Sequence, residues 1–418
     1  MGQWLPGASP WQRAGTPPVG HLPDVGLSVR APAADYKTVP APFGRDRLRS
    51  LDGLRGIAAL IVVLSHIVAA SVGSLSAASE FGTDDGGVVH WLLRTPLAIF
   101  WAGSEFVIVF FVLSGFVLTR AVLRDRPAWG SFYVRRALRL YLPAWASLIP
   151  AALLMAAVAP ANIIGGVGFW LHSATANVSA ADVARDAALV FPHAHAPGAS
   201  LNGPLWSLRW EVLFSAILPM LLLAAGPLRR LTLPTVGVML LWVCWGGPTA
   251  SYLAPFALGL LLALHEDQLH VWRRRVDHRG AGAFLVLCAT LLTADLWLPG
   301  ARRATGTAGM LVVLGAVATV FAPMLYEPVA RVLQRRPVQW LGSRSFSLYL
   351  VHQPIVIAYA NGLHAPPPTA LAALAIPTSL LAAEGFFRVV ERPSHRLANK
   401  TATGLRLRTA AGSEPQPA

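Results

Sequence analysis

The chain has 418 residues, of which 55% are hydrophobic and only 13% charged, against about 25% charged residues in a soluble domain that must wet its own surface. That composition excludes a single aqueous globule, because lipid must solvate much of the apolar surface. The net charge of +14 does not point to nucleic acid, since the arginines stand in short clusters between apolar runs rather than along one face or tail.

Residues 1–44 are rich in Pro, Gly and Ala, lack periodicity, and read as a disordered cytoplasmic tail rather than a signal peptide. A bilayer core takes about 20 mostly apolar residues per helix. Runs of that kind follow at 51–73, 97–121, 137–159, 204–227 and 231–247. Five more lie at 251–265, 281–299, 307–325, 345–361 and 369–390. The expected fold is therefore an all-α, polytopic bundle of about ten transmembrane helices, spanning residues 45–398, with 399–418 as a second disordered tail. The two cysteines, Cys244 and Cys288, lie inside apolar runs and imply neither a disulfide framework nor a metal site.

The arginines test that count. With a cytoplasmic N-terminus, the inner loops hold Arg120, Arg124, Arg126, Arg135, Arg136 and Arg139, then Arg229 and Arg230. Arg273, Arg274, Arg275 and Arg279 come next, then Arg331, Arg335, Arg336 and Arg344. The outer loops hold Arg94, Arg185, Arg302 and Arg303. The positive-inside rule asks for such an imbalance, and an even number of spans keeps it alternating, which puts both termini in the cytoplasm.

The first span carries a polar stripe. Arg55 and His66 are eleven residues apart, almost three whole turns, so they share a face at a separation of about 16 Å. Asp52, Ala59 and Val62 fall near the same stripe. Ionisable residues at this depth face a bundle interior or a cavity. One reading has Arg55 snorkelling to the interface and His66 bonded to a neighbouring helix. The other makes a neutral His66 a general base, and a proton-coupled transporter would use the same two residues.

Further along, Arg136 and Arg139 stand one turn apart at the inner end of the third span. They either obey positive-inside or grip an anion with their guanidinium forks. Glu211, about seven residues into the fourth span, either orients His66 or a substrate hydroxyl or neutralises Arg209 or another buried cation. The longest outer segment, about 160–203, is placed to cover a substrate site. Its His193 and His195 lack a third ligand at a sensible spacing and read as solvated loop residues. In the ninth span, Pro354 frees a backbone carbonyl that His352 or Tyr349 is expected to satisfy, a structural role favoured over a catalytic one.

Several segments together resemble one family. Arg49-Ser50-Leu51-Asp52-Gly53-Leu54-Arg55-Gly56 with His66, Phe110-Phe111-Val112-Leu113-Ser114-Gly115-Phe116, and the Arg-x-x-Arg of Arg136 and Arg139 occur in order. They are followed by Asn202-Gly203-Pro204-Leu205-Trp206-Ser207-Leu208-Arg209-Trp210-Glu211, by Ser345-Phe346-Ser347-Leu348-Tyr349-Leu350-Val351-His352-Gln353-Pro354, and by Glu391-Arg392-Pro393. The series is similar to that of the acyltransferase-3 membrane proteins, which O-acylate glycans and some small molecules. Val212 stands where the family often has a second acidic residue.

The resemblance implies an acyl-CoA donor (acetyl-CoA is the common case) on the cytoplasmic side of the cell membrane, a hydroxyl acceptor on a carbohydrate or glycosylated small molecule, and no bound cofactor. His66 would deprotonate that hydroxyl or carry the acyl group briefly. Arg55 would hold the donor or stabilise charge on the thioester carbonyl, with Glu211 as a third catalytic group. Arg136 and Arg139 would grip the CoA phosphates, and Asp52, Trp206, Ser207, Tyr349 and His352 would complete the substrate set. The alternative is a transporter or flippase without acyl-transfer chemistry, although no second copy of the Arg-x10-His segment occurs.

Overall fold

In lipid, a backbone must satisfy its own hydrogen bonds, which favours helices wherever a chain crosses the membrane. The computed structural model describes residues 45–71, 95–125, 127–157, 178–189, 201–273, 275–298, 305–363 and 366–411. They fall in one compact unit, Lys37–Ala418, and among them there is no strand. The expected N-terminal tail, His193 and His195 lie outside the described residues.

In chain order the helices are α1 (Arg45–Ser71), α2 (Gly103–Asp125), α3 (Trp129–Ala157), α4 (Ala180–Ala188), α5 (Leu205–Leu223), α6 (Ala225–Arg230), α7 (Thr232–Trp245) and α8 (Gly247–Leu264). They continue with α9 (Glu266–Arg273), α10 (Ala281–Leu292), α11 (Gly306–Leu325), α12 (Glu327–Leu333), α13 (Arg336–Gly362), α14 (Pro368–Phe386) and α15 (Arg392–Ala411). The described residues of the ten expected apolar segments are largely helical, but 204–227 and 281–299 each divide between two helices. Among the described residues, six stretches are long and apolar enough to cross a membrane: Arg49–Ser71, Gly103–Asp125, Trp129–Ala157, Leu205–Leu223, Gly306–Leu325 and Pro368–Leu405. Three more apolar helices are shorter, Thr232–Trp245, Thr249–Leu264 and His278–Leu292. The chain is thus an all-helical, multi-pass membrane protein. Helices α7 and α8 are parted by Gly247, whose φ of +64° is open to glycine but strained for other residues.

Small residues bring the central helices together. Helix α1 packs most extensively along α13, and they run parallel, with Gly56 beside Gly342 and His66 beside His352. A Cβ on Gly56 would stand 2.5 Å from the Gly342 nitrogen, and one on Gly342 would stand 2.3 Å from the Asp52 carbonyl oxygen. Helices α2 and α8 cross in the same way. A Cβ on Gly115 would lie 2.1 Å from the Phe256 oxygen, and one on Gly259 2.1 Å from the Val112 oxygen. Lipid supplies no hydrophobic drive between helices, so such close approach lets dispersion and polar contacts hold them.

The C-terminal end departs from expectation. Helix α14 passes through a π-helical turn at Phe387–Glu391 into α15, which runs to Ala411 instead of giving way to a tail at residue 399. Composition missed it because the buried stripe is narrow: Ser394, Ala398 and Ala402, at four-residue intervals, are buried. The Ser131 hydroxyl donates to the Ala402 carbonyl at 3.1 Å, tying α15 to the start of α3.

Candidate active site

Helices α1, α2, α3, α5 and α13 assemble a column of polar groups through the bundle. At one end, His66 Nδ1 lies 2.8 Å from His352 Nε2, with the two rings stacked 9° from parallel. His352 is fully buried. Its Nδ1 donates to the Leu348 carbonyl at 3.0 Å, one turn earlier in its own helix. Beside it, the Tyr349 hydroxyl is 2.8 Å from Ser207 Oγ, and the Tyr349 ring lies 6.0 Å from that of His352.

Tyr349 and Ser207 also face a small cleft that is partly open to the surroundings. Arg55, Ser114, Glu211 and Ser345 supply its other polar lining, and Phe110 and Phe111 are among its apolar walls. Glu211 forms an ion pair with Arg136 and accepts from Ser114 Oγ at 3.2 Å. Arg136 Nε also donates to Ser215 Oγ at 3.0 Å. Among the readings open for Glu211, the structure places it against a buried cation. That cation is Arg136 and not Arg209, which pairs with Asp186 at 3.2 Å. Arg136 is thereby held inside the bundle, whereas the side chain of Arg139 is exposed and feels the charges of Arg55 and Glu391.

The remaining expected residues divide. Asp52 is exposed, near Arg55. Trp206 lies outside the cleft lining and packs instead against Tyr252 and Phe111, with ring centroids 5.0 Å and 6.3 Å away. The proline expectation needs correcting. Pro354 leaves the Leu350 carbonyl, four residues back, without its helical donor. That carbonyl accepts from Asn202 Nδ2 at 2.9 Å and not from His352 or Tyr349. Asn202 in turn donates to Ser147 Oγ at 2.8 Å, so α3 and α13 meet through it.

Sequence reasoning gave no roles to Ser114, Ser345, Asn202 or Glu391, although each stands in a motif quoted above. The carboxylate of Glu391 sits on the π-helical turn and accepts from the Ser347 N–H at 3.1 Å and from the Ser347 hydroxyl. A π-turn often marks a functional position, but the one-residue irregularity leaves no trace in hydrophobic periodicity.

Comparison with known proteins adds to this geometry. The model of a family described as an acyltransferase domain matches residues 48–383. The chain belongs to the acyltransferase-3 family. It is accordingly an acyltransferase, and the match runs from the head of the polar stripe in α1 into α14. The chain is 27% identical over 384 residues to the acyltransferase MdmB of Streptomyces mycarofaciens, covering 84% of this chain and 92% of that protein. It is 26% identical over 349 residues to the putative peptidoglycan O-acetyltransferase YrhL of Bacillus subtilis, covering 73% of this chain and 48% of the relative. Similarity to the peptidoglycan O-acetyltransferase OatA of Listeria monocytogenes is 24% over 389 residues, 84% of this chain and 56% of that one. The chain thus spans about half the length of these two peptidoglycan relatives. No solved structure gives a significant match. The transporter alternative finds no support, because these relatives of the acyltransferase-3 family are all named acyltransferases.

Proposed function

We propose that this acyltransferase moves an acyl group, acetyl in the first instance, from acyl-CoA to a hydroxyl of a carbohydrate or glycosylated small molecule, in the plasma membrane with both termini cytoplasmic. One observation carries the reading. Arg55 borders a hydroxyl-lined cleft on the same helical stripe as His66, about 16 Å along the axis. That distance is of the order of the pantetheine arm, which separates the phosphates of coenzyme A from its sulfur. Arg55, with the exposed Arg139 nearby, suits the phosphate end, and His66 suits the thioester end.

The same distance supports the first of the two roles open to Arg55. A general base and an oxyanion donor must both lie within about 3 Å of one reacting centre, so Arg55 holds the donor and does not serve the carbonyl that His66 serves. Arg136, occupied by Glu211 and Ser215, keeps the cleft wall in place, and Glu211 acts through it. His66 takes the proton of the acceptor hydroxyl, and the acceptor oxygen attacks the thioester carbonyl. The C–S bond then breaks, and the departing thiolate recovers the proton from His66. The acceptor class rests on the names of the peptidoglycan relatives, and the donor on the family resemblance.

The test is release of free CoA from acetyl-CoA by purified protein, with envelope glycans or glycosides as acceptors. His66→Ala is expected to lower kcat by about 10²–10⁴-fold, the usual contribution of a general base, while the protein stays folded. Wild-type turnover by that variant would remove His66 from the chemistry.

A further inference from the structure

We infer that His352 is the positioning residue that fixes the tautomer of His66, taking the place a carboxylate holds in a nucleophile–histidine–carboxylate triad. The inference rests on His66 being the base. Its ground is the direction of two hydrogen bonds. A carbonyl oxygen carries no proton, so in the 3.0 Å contact with Leu348 the donor is His352 Nδ1. A neutral imidazole has one N–H, which leaves His352 Nε2 as an acceptor. The 2.8 Å contact is then filled by the proton on His66 Nδ1. His66 consequently carries its basic lone pair on Nε2, and the backbone of α13 has set which ring nitrogen that is.

The choice of an imidazole over a carboxylate suits the location. An aspartate here would add a buried charge in the resting state, costing several kcal/mol when desolvated. His352 is neutral at rest, so it orients His66 without that penalty. When His66 accepts the acceptor's proton on Nε2, its Nδ1–H still points at the His352 lone pair. The positive charge is then stabilised by hydrogen bonding along the chain that ends on Leu348. The proton goes back from His66 Nε2 to the leaving thiolate, and His352 ends the cycle as it began. The near-parallel setting of the rings, 9° apart at a centroid distance of 4.9 Å, suits an edge-to-edge hydrogen bond, and the full burial of His352 keeps the pair in register.

Three substitutions test this, each read as kcat and KM for acetyl-CoA beside His66→Ala. In His352→Gln, the amide oxygen reaches the place of Nε2 and accepts from His66. In His352→Asn, the shorter amide reaches only the place of Nδ1. His352→Leu removes the acceptor altogether. The expected result is a loss of about 100-fold in kcat for Asn and Leu with KM within twofold, and Gln restored to within tenfold of wild type. Gln and Asn are the deciding pair, because both put a polar amide in the same pocket and share any folding defect it causes. Equal activity in Gln and Asn, or an undiminished kcat in Leu, overturns the inference while leaving His66 as base. Full activity in His66→Ala would instead remove the reading on which it rests.

Discussion

A carboxylate inside an apolar bundle is tolerable only with a cation against it, and Glu211 meets Arg136 there, both side chains about one-fifth exposed. Breaking such a pair strands a charge, whereas removing both members together often costs little. Glu211→Ala should therefore lower stability in detergent by about 3 kcal/mol, and the double variant Glu211→Leu/Arg136→Met should recover most of it. Thermal unfolding of the single and double variants measures the coupling. Strict additivity of the two single losses would show that the pair is not a unit. The stripe of Arg55 and His66 is legible in the sequence because both residues lie on one helix, where a period of 3.6 is enough. The partner of Glu211 is not legible, since Arg209 lies two residues away in sequence and Arg136 seventy-five, and only packing decides between them.

At the scale of elements, Pro354 within α13 and the residues just ahead of α5 form one arrangement. Asp186 of α4 accepts from the Leu201 N–H at 2.9 Å and pairs with Arg209. Asn202, next in the chain, fills the carbonyl that Pro354 exposes. Replacing Asn202 by Leu orphans a buried acceptor and should cost about 1–3 kcal/mol. Pro354→Ala supplies an N–H that can close the helical bond to Leu350, so adding it to Asn202→Leu should return part of that loss. A double-mutant cycle followed by unfolding checks the sign, and zero coupling would detach Asn202 from the proline. The proline itself announces a missing donor in the sequence, but nothing there says which side chain supplies it. The glycine crossings are equally silent: Gly56, Gly115, Gly259 and Gly342 read as ordinary members of apolar runs until their neighbours' backbones stand where a Cβ would be.

At the scale of the whole molecule, contacts fix the relative directions of three helix pairs: α1 is parallel to α13, α2 parallel to α8, and α3 antiparallel to α5. The stretch Pro368–Leu405 has 38 residues, about 57 Å of helix, against a hydrocarbon core of about 30 Å. Its last third must then stand outside the core beside the start of α3, on the side that the proposed topology assigns to the cytoplasm. With Cys244 and Cys288 replaced, single cysteines at Lys400 and Gly130 should react with a membrane-impermeant maleimide only from the cytoplasm, and one at Leu363 only from the opposite side. Labelling of the Lys400 position from outside would reverse the proposed topology. Composition and charge made the bundle legible at this scale. They misjudged the end of α15 because a stripe of one Ser and two Ala is too small to register as apolar.

The two histidines are 286 residues apart in the chain. Ribosomes add roughly 5–20 residues per second, so the second imidazole is made about 15–60 s after the first. During that interval α1 carries His66 without His352 beside it. On the proposed reading, a chain terminated before α13 would carry the base without the imidazole that orients it.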